Sequence, residues 1–302
     1  MTLSFESTSP SLGAKVSGVA FDQVLDDAAA SSELFDALRQ ALDRHLVLVF
    51  NQCDLSAQHI FRLAAGIGGG TPFVNIKLPD NPGAIHVPDR PEIKVISTEF
   101  TPSGLPLGDA GNTLAQVWHN DGAAEDVPPG VITFSGKRTP TPAPETSWMN
   151  MYEAYARLPD KLRNELAGLK AIYWKGGRSP YFEDFETPQT QPEAVRRSGV
   201  RHPLVCLHPS THRPYLMVPM HRDTLIEGLS GQESRRIMDI LWDHMFALEC
   251  SWSYGISAGD VVIWDNMATM HSRQGWTSEE ARTMWHLASR ARRAPLPITE
   301  LA

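Results

Sequence analysis

The sequence predicts an α+β fold built round an antiparallel sheet, with a jelly roll as its closed form. Two observations carry this expectation: amphipathic helical periodicity is concentrated early in the chain, and short strand-like apolar runs are spread through the remainder without regular strand–helix–strand alternation. The third is size and composition. At 302 residues, 42% hydrophobic and 21% charged, with eight tryptophans, the chain can bury a sizeable core. One enlarged domain over 1–302 is expected, and disordered, collagenous and coiled-coil classes are excluded.

Helical periodicity appears first at Glu33 to His45, where Leu34, Phe35, Leu38, Ala41 and Leu42 share one face. The run Leu46-Val47-Leu48-Val49-Phe50 then reads as a buried strand. Ser56 is placed to cap a second helix through Ile60, Leu63 and Ile67, which Gly68, Gly69 and Gly70 end. Those glycines follow a helix, whereas a phosphate-cradling loop follows a strand and opens a helix, so no nucleotide loop is read there. From Thr71 to Gly111, prolines at 72, 79, 82, 88, 91, 102 and 106 interrupt every element except a short strand, Ile93 to Ser97. A lid or substrate loop is expected over 71–111. Strands are expected at Val131 to Phe134, Tyr215 to Val218, Asp260 to Trp264 and Met284 to Ser289. A helix is expected at Leu158 to Lys170, with Leu158, Leu162, Leu166 and Leu169 in phase. Another, Ser230 to Phe246, opens with the capping box Ser230-Gly231-Gln232-Glu233. Between these helices, 174–199 is polar, aromatic and irregular, a second covering segment.

A formal charge of -8 gives no global basic field, so neither nucleic acid nor an anionic membrane is an expected partner. No run of 18 apolar residues occurs, and Met1-Thr2-Leu3-Ser4-Phe5-Glu6 lacks the basic-then-apolar start of a secretory signal, so a cytoplasmic address is expected. Cys53, Cys206 and Cys250 are too few and too irregularly spaced for a disulfide framework or closed zinc site; buried small hydrophobes is their reading. A homo-oligomer is a reasonable default.

Chemistry enters with histidine. Two His-x-Asp triplets occur, His119-Asn120-Asp121 and His221-Arg222-Asp223. On a strand, residues i and i+2 point to the same side, so such a triplet can offer an imidazole nitrogen and a carboxylate oxygen to one metal. Two histidines and a carboxylate on one face of an octahedron leave three open positions, the arrangement of non-haem Fe(II) oxygenases. His221 and Asp223 sit between Pro219 and a helix start, as a surface turn would. His119 instead follows the strand-like Ala115-Gln116-Val117-Trp118. A third ligand is available in His271, at the end of a turn, an apolar strand and a bend running from Gly259 through Trp264-Asp265-Asn266. Eleven residues further on stands Arg282.

His119-Asn120-Asp121, Trp264-Asp265-Asn266 with His271, and Arg282 together resemble the taurine dioxygenase and phenoxyacetate-herbicide dioxygenase family of Fe(II)/2-oxoglutarate enzymes. Further stretches agree in order and spacing: Gly13 to Val19, Leu46 to Phe50, Thr146 followed by Met151 to Tyr155, and His202-Pro203-Leu204-Val205 with His208-Pro209. The resemblance covers nearly the whole chain and implies a double-stranded β-helix (jelly-roll, cupin-like) core with flanking helices. It implies that His119, Asp121 and His271 hold Fe(II), and that Arg282 and Thr146 hold the distal carboxylate of 2-oxoglutarate. A guanidinium fork suits that carboxylate. It further implies that dioxygen is consumed and that succinate and CO2 leave. An unactivated C–H position of a small molecule, amino-acid-like or a secondary metabolite, would be hydroxylated or oxidatively cleaved. Asn75 and Lys77 lie in the proline-rich loop where family members place substrate contacts. Members acting on sulfonates or carboxylates often carry a second arginine four residues after the first. This chain has His286 there, a donor suited to a neutral or weakly acidic group. Two rival readings use the same side chains: a zinc hydrolase, and a non-catalytic jelly-roll sensor of 2-oxoglutarate or another metabolite.

Overall fold

The computed structural model describes residues 3–21, 25, 27–69, 73–74, 85–100, 104, 107, 109–110, 113–174, 191–277 and 279–298. The chain opens with an antiparallel hairpin, β1 (Ser4–Ser7) and β2 (Ala14–Ser17). Helix α1 (Ala28–His45) follows, and Leu46, with a left-handed φ of 63°, turns the chain from helix into β3 (Val47–Phe50). Helix α2 (Ala57–Ile67) begins where expected because the Ser56 hydroxyl accepts from the His59 backbone N–H at 3.2 Å. The strands that matter for the site come next: β4 (His86–Val87), β5 (Arg90–Ser97), β6 (Gln116–His119), β7 (Pro129–Arg138) and β8 (Glu145–Asn150). Two short helices, α3 (Met151–Ala156) and α4 (Asp160–Leu166), lead towards the long α5 (Gly231–Ala247), and β9 (Ser251–Gly255), β10 (Val261–Asp265), β11 (Thr269–Arg273) and β12 (Thr283–Arg290) complete the set.

These strands form two sheets. The first runs β1-β2-β3-β10-β7-β12-β5-β4, with the two-residue pieces Phe73–Val74 on β12 and Asp109–Ala110 on β5. Its pairs are antiparallel apart from β2 with β3 and β5 with Asp109–Ala110. The second, β9-β8-β11-β6, is wholly antiparallel. From β6 onward the chain passes back and forth between them: β7, β10 and β12 belong to the first sheet and β6, β8, β9 and β11 to the second.

Strand alternation decides what lies between the sheets. Val261, Ile263 and Leu287 face α1 and α2, where Leu34, Leu38, Ile60 and Leu63 bury them. Val262, Trp264, Met284 and Ala288 face the second sheet and share a core with Trp148. The Trp264 and Trp148 rings meet edge-on at 5.7 Å, one from each sheet. Each such fully buried side chain stabilises the sandwich by about 1.5–3 kcal/mol.

Several sequence expectations are revised. Helix α1 begins at Ala28, earlier than the periodicity at Glu33 indicates. The helix expected to reach Lys170 stops at Leu166, because Gly168 takes a left-handed φ of 81° and Lys170–Tyr173 becomes a strand paired with Val200–Pro203. Strand β5 starts at Arg90 and includes Pro91; a proline is tolerated at a strand's first positions. Strand β8 carries no clear two-residue polarity pattern, whereas β9, Ser251-Trp252-Ser253-Tyr254-Gly255, alternates polar and aromatic residues. The capping box at Ser230 and Glu233 forms as expected. Cys206 and Cys250 are buried thiols and Cys53 is half-buried, none in a disulfide. Most of the proposed covering segments, including 75–84 and 175–190, lies outside the described residues. Among the described residues, no helix is long and apolar enough to cross a membrane.

Candidate metal centre

Strands β6 and β11 are neighbours in the second sheet, and register places His119 directly opposite His271, ring centroids 4.2 Å apart. Asp121 lies just past the end of β6. Its Oδ1 is 3.5 Å from His119 Nε2 and 3.8 Å from His271 Nε2. The three donor atoms all lie within 4.8 Å of one another. First-row ions bind such atoms at about 2.0–2.2 Å, so the three surround one point where an ion could sit. The sequence-predicted set is therefore brought together.

For His119, tautomer and orientation are already arranged. His119 Nδ1 lies 2.8 Å from the Val117 carbonyl oxygen, so an N–H there donates to it and leaves the Nε2 lone pair free. The His271 ring is buried and packs 5.1 Å from the Trp264 ring. With no metal bound, burial would raise the Asp121 carboxyl, but His119, His271 and His286 outweigh it and hold the group well below the usual carboxylate range. Burial and the neighbouring His119 push His271 down to about 3, keeping that imidazole neutral. Burial lowers His119 as well, yet the Asp121 carboxylate more than offsets it and the net shift is upward.

The Trp264-Asp265-Asn266 motif anchors the triplet. Asn266 Oδ1 accepts from the Asp121 backbone N–H at 3.0 Å, while its Nδ2 donates to the Asp121 and Pro129 carbonyl oxygens at 3.0 and 2.9 Å. Asn120 returns the contact, donating from Nδ2 to the carbonyl oxygens of Asn266 and Thr269. Asp265 holds the bend itself: Oδ1 accepts from the backbone N–H groups of Met267 and Ala268, and Oδ2 lies 2.9 Å from His208 Nε2. That buried pair is mutually stabilised. Burial would raise Asp265, but His208 and the two backbone donors hold it below 3.8; burial would lower His208, but Asp265 holds it above 6.5.

A second cationic feature lies nearby. Arg282, at the head of β12, is 6% exposed, and no hydrogen bond or ion pair reaches its guanidinium among the described residues. Burial, then the charge of Arg273, pull it down to about 9. Arg273 was not singled out from the sequence, although it stands two residues after His271 on a strand and so shares its face. It is tied to the Leu114 carbonyl oxygen at 2.8 Å and lies 4.5 Å over the Trp276 ring. Thr146, buried on β8, is the cross-strand partner of Arg273.

His286 lies on β12 opposite Phe134, and its Nε2 is 3.1 Å from Asp121 Oδ2. Asn75 and Lys77 lie outside the described residues. The other triplet is separate: Asp223 pairs loosely with Arg196 at 3.9 Å, and neither it nor His221 joins the cluster. The positioning roles of Asn120, Asn266 and the His208–Asp265 pair had no one-dimensional signal beyond the motif itself, because each acts across more than 50 residues of chain.

Comparison with known proteins agrees with this geometry. The taurine catabolism dioxygenase TauD, TfdA family matches residues 4–288. The alpha-ketoglutarate-dependent 2,4-dichlorophenoxyacetate dioxygenase of Cupriavidus pinatubonensis is 26% identical over 251 residues, 82% of this chain and 85% of that protein. Pentalenolactone F synthase of Streptomyces avermitilis is 26% identical over 285 residues, 90% of this chain and 89% of that protein. The crystal structure of a taurine dioxygenase from Burkholderia xenovorans shares the fold, with a TM-score of 0.76 at 23% identity, over 98% of this chain and 92% of that one. Since the family match runs from β1 into β12 and takes in every member of the cluster, the chain belongs to the taurine catabolism dioxygenase TauD, TfdA family.

Proposed function

We propose that this 2-oxoglutarate-dependent dioxygenase holds Fe(II) through His119, Asp121 and His271 and anchors 2-oxoglutarate through Arg282 and Thr146. Its substrate is a small molecule, hydroxylated or oxidatively cleaved at an unactivated C–H position. One observation carries the reading: two imidazoles and a carboxylate converge within 4.8 Å, in the same interior as a buried guanidinium that meets no anion among the described residues. When bound, the iron supplies the redox chemistry by which dioxygen and 2-oxoglutarate oxidise the substrate, with succinate and CO2 released.

The chain's own groups account for the rest. Three ligands on one side of the ion leave three positions for small molecules. Arg282 stays protonated at neutral pH and needs a counter-ion, which the far carboxylate of a dicarboxylate provides in fork geometry. Thr146 offers a hydroxyl from the neighbouring strand. Phe134, Trp148, Trp264 and Met284 give the interior apolar walls that exclude water. Passage of β6 to β12 between two packed sheets supports a double-stranded β-helix within one domain over 1–302. A zinc hydrolase on the same ligands would leave the buried Arg282 without a counter-ion, and the family is one of dioxygenases.

The test is an anaerobic titration with Fe(II) and 2-oxoglutarate. A weak visible charge-transfer band is expected, followed on admitting air by succinate release that a screened small-molecule substrate accelerates. Binding without turnover would favour a sensor, and zinc-dependent hydrolysis without succinate would overturn the oxygenase.

A further inference from the structure

The two oxygens of Asp121 face different partners. Oδ1 points at the imidazoles, 3.5 Å from His119 Nε2 and 3.8 Å from His271 Nε2. Oδ2 turns away to His286 Nε2 at 3.1 Å. His286 is itself held: it is 7% exposed, lies between Phe134 on β7 and Lys94 on β5 in register, and meets the Phe134 ring edge-on at 5.2 Å. Nothing in the backbone requires this pairing, since Asp121 belongs to the loop after β6 and His286 to the middle of β12, in the other sheet.

We propose that His286 is a positioning residue that reserves Asp121 Oδ2, so that Asp121 binds the metal through Oδ1 alone. This rests on the metal-centre reading above and adds to it a role for His286. The coordination arithmetic gives the contact its purpose. An octahedral ion with three protein ligand atoms keeps three positions, two for the keto-acid chelate and one for dioxygen. A carboxylate turning both oxygens to the metal would take one of the three. His286 prevents this by donating its Nε2–H to Oδ2, a charge-assisted hydrogen bond that also fixes the carboxylate plane. A ring committed to Asp121 has its Nε2–H occupied, so that N–H serves the centre.

The proposal is tested with Co(II) as the probe, by calorimetry and by its visible d–d spectrum, on wild type, His286→Ala and His286→Gln. The glutamine Nε2 can occupy the place of the imidazole Nε2 and donate to the same oxygen. His286→Ala is expected to weaken Co(II) binding about 10–100-fold, the usual penalty for losing a partner of a metal ligand. It is also expected to shift the d–d bands and to narrow the splitting between the carboxylate stretches in metal-minus-apo infrared difference spectra, as bidentate binding does. His286→Gln is expected to restore affinity and both signatures. The proposal is overturned if His286→Ala keeps wild-type affinity and spectra, or if alanine and glutamine weaken binding equally with spectra unchanged, the mark of packing alone. If wild type itself fails to bind Co(II), the metal-centre reading fails first, a distinct result. Thermal unfolding of the metal-free variants keeps loss of fold separate from loss of the contact.

Discussion

The two faces of the first sheet obey different rules. On the outer face, Val261 and Ile263 of β10 pack under α1 and α2 against Leu34, Leu38, Ile60 and Leu63. One residue along, Val262 and Trp264 face the interior, where apolar walls share space with His271, Asn266, Arg273 and Arg282, all buried. The outer face stabilises through volume and area, so its members are interchangeable within limits of size. The inner face is sensitive to the partners its polar groups do have, because removing one leaves a buried donor or acceptor whose cost exceeds what the hydrogen bond contributed. Fold and site are thus separable by mutation, although the same strands carry both.

The sharpest way to break the comparison is His271→Ala, which should abolish Fe(II) and Co(II) binding in calorimetry while circular dichroism stays native; retained stoichiometric binding would remove the ligand assignment. Next in size, Leu63→Ala on the outer face should cost about 2–5 kcal/mol in denaturant unfolding. The protein that remains folded should bind metal with wild-type affinity. Asn266→Ala is the inner counterpart. It leaves the Asp121 N–H and the Asp121 and Pro129 carbonyls without their partner, at about 1–3 kcal/mol for an orphaned group. It should also lower metal affinity about 10–100-fold, unlike Leu63→Ala. If both variants affect metal binding equally, the two faces are not separable.

Smaller effects refine the inner face. Arg282→Ala should weaken 2-oxoglutarate binding by roughly tenfold to a hundredfold, the loss of about 1.5–3 kcal/mol from a charged hydrogen-bond partner, with Co(II) binding unchanged. The smallest effect is in the pH dependence of the His208–Asp265 pair. Asp265, held below 3.8, contributes stability that is complete above 3.8 and lost as pH falls through its lowered value. His208, held above 6.5, contributes stability that is complete below 6.5 and lost as pH rises through its raised value. The pair is therefore fully effective between pH 3.8 and 6.5. Asp43 and Arg213 also face His208 and act in opposite directions on it. As pH rises above 6.5, unfolding temperatures should fall more steeply in wild type than in His208→Gln. Parallel curves would show that the pair is not linked to folding.

Much of this architecture was legible in one dimension, for reasons that differ by element. Helix α2 and helix α5 could be placed because Ser56 and the Ser230–Glu233 box cap them locally, and local hydrogen bonds need only nearby residues. His119, Asp121 and His271 could be named as candidate metal ligands because His119 and Asp121 are two residues apart, His271 ends a motif of fixed length, and with Arg282 they resemble one family. Strand β8 could not: its stability comes from pairing with β9 and β11, and it carries no alternation to declare it. Strand β9 was missed although Ser251-Trp252-Ser253-Tyr254 alternates polar and aromatic residues. Arg273 was missed although its spacing from His271 on a strand would have put both on one face. His286 was read as a donor, but the acceptor it meets belongs to a residue 165 positions away.

Composition and periodicity determined by themselves that the chain is an α+β globule, because those signals depend on contacts within a few residues or on residue type; the two-histidine, one-carboxylate set was named through a family resemblance carried by the order and spacing of its motifs. Which oxygen of Asp121 faces the imidazoles, which side chain holds the other, and that Arg282 lies buried with no anion beside it among the described residues were decided only by tertiary structure. Each depends on strands from two sheets meeting across one interior, and the distances that result follow from sheet packing, which no local pattern encodes.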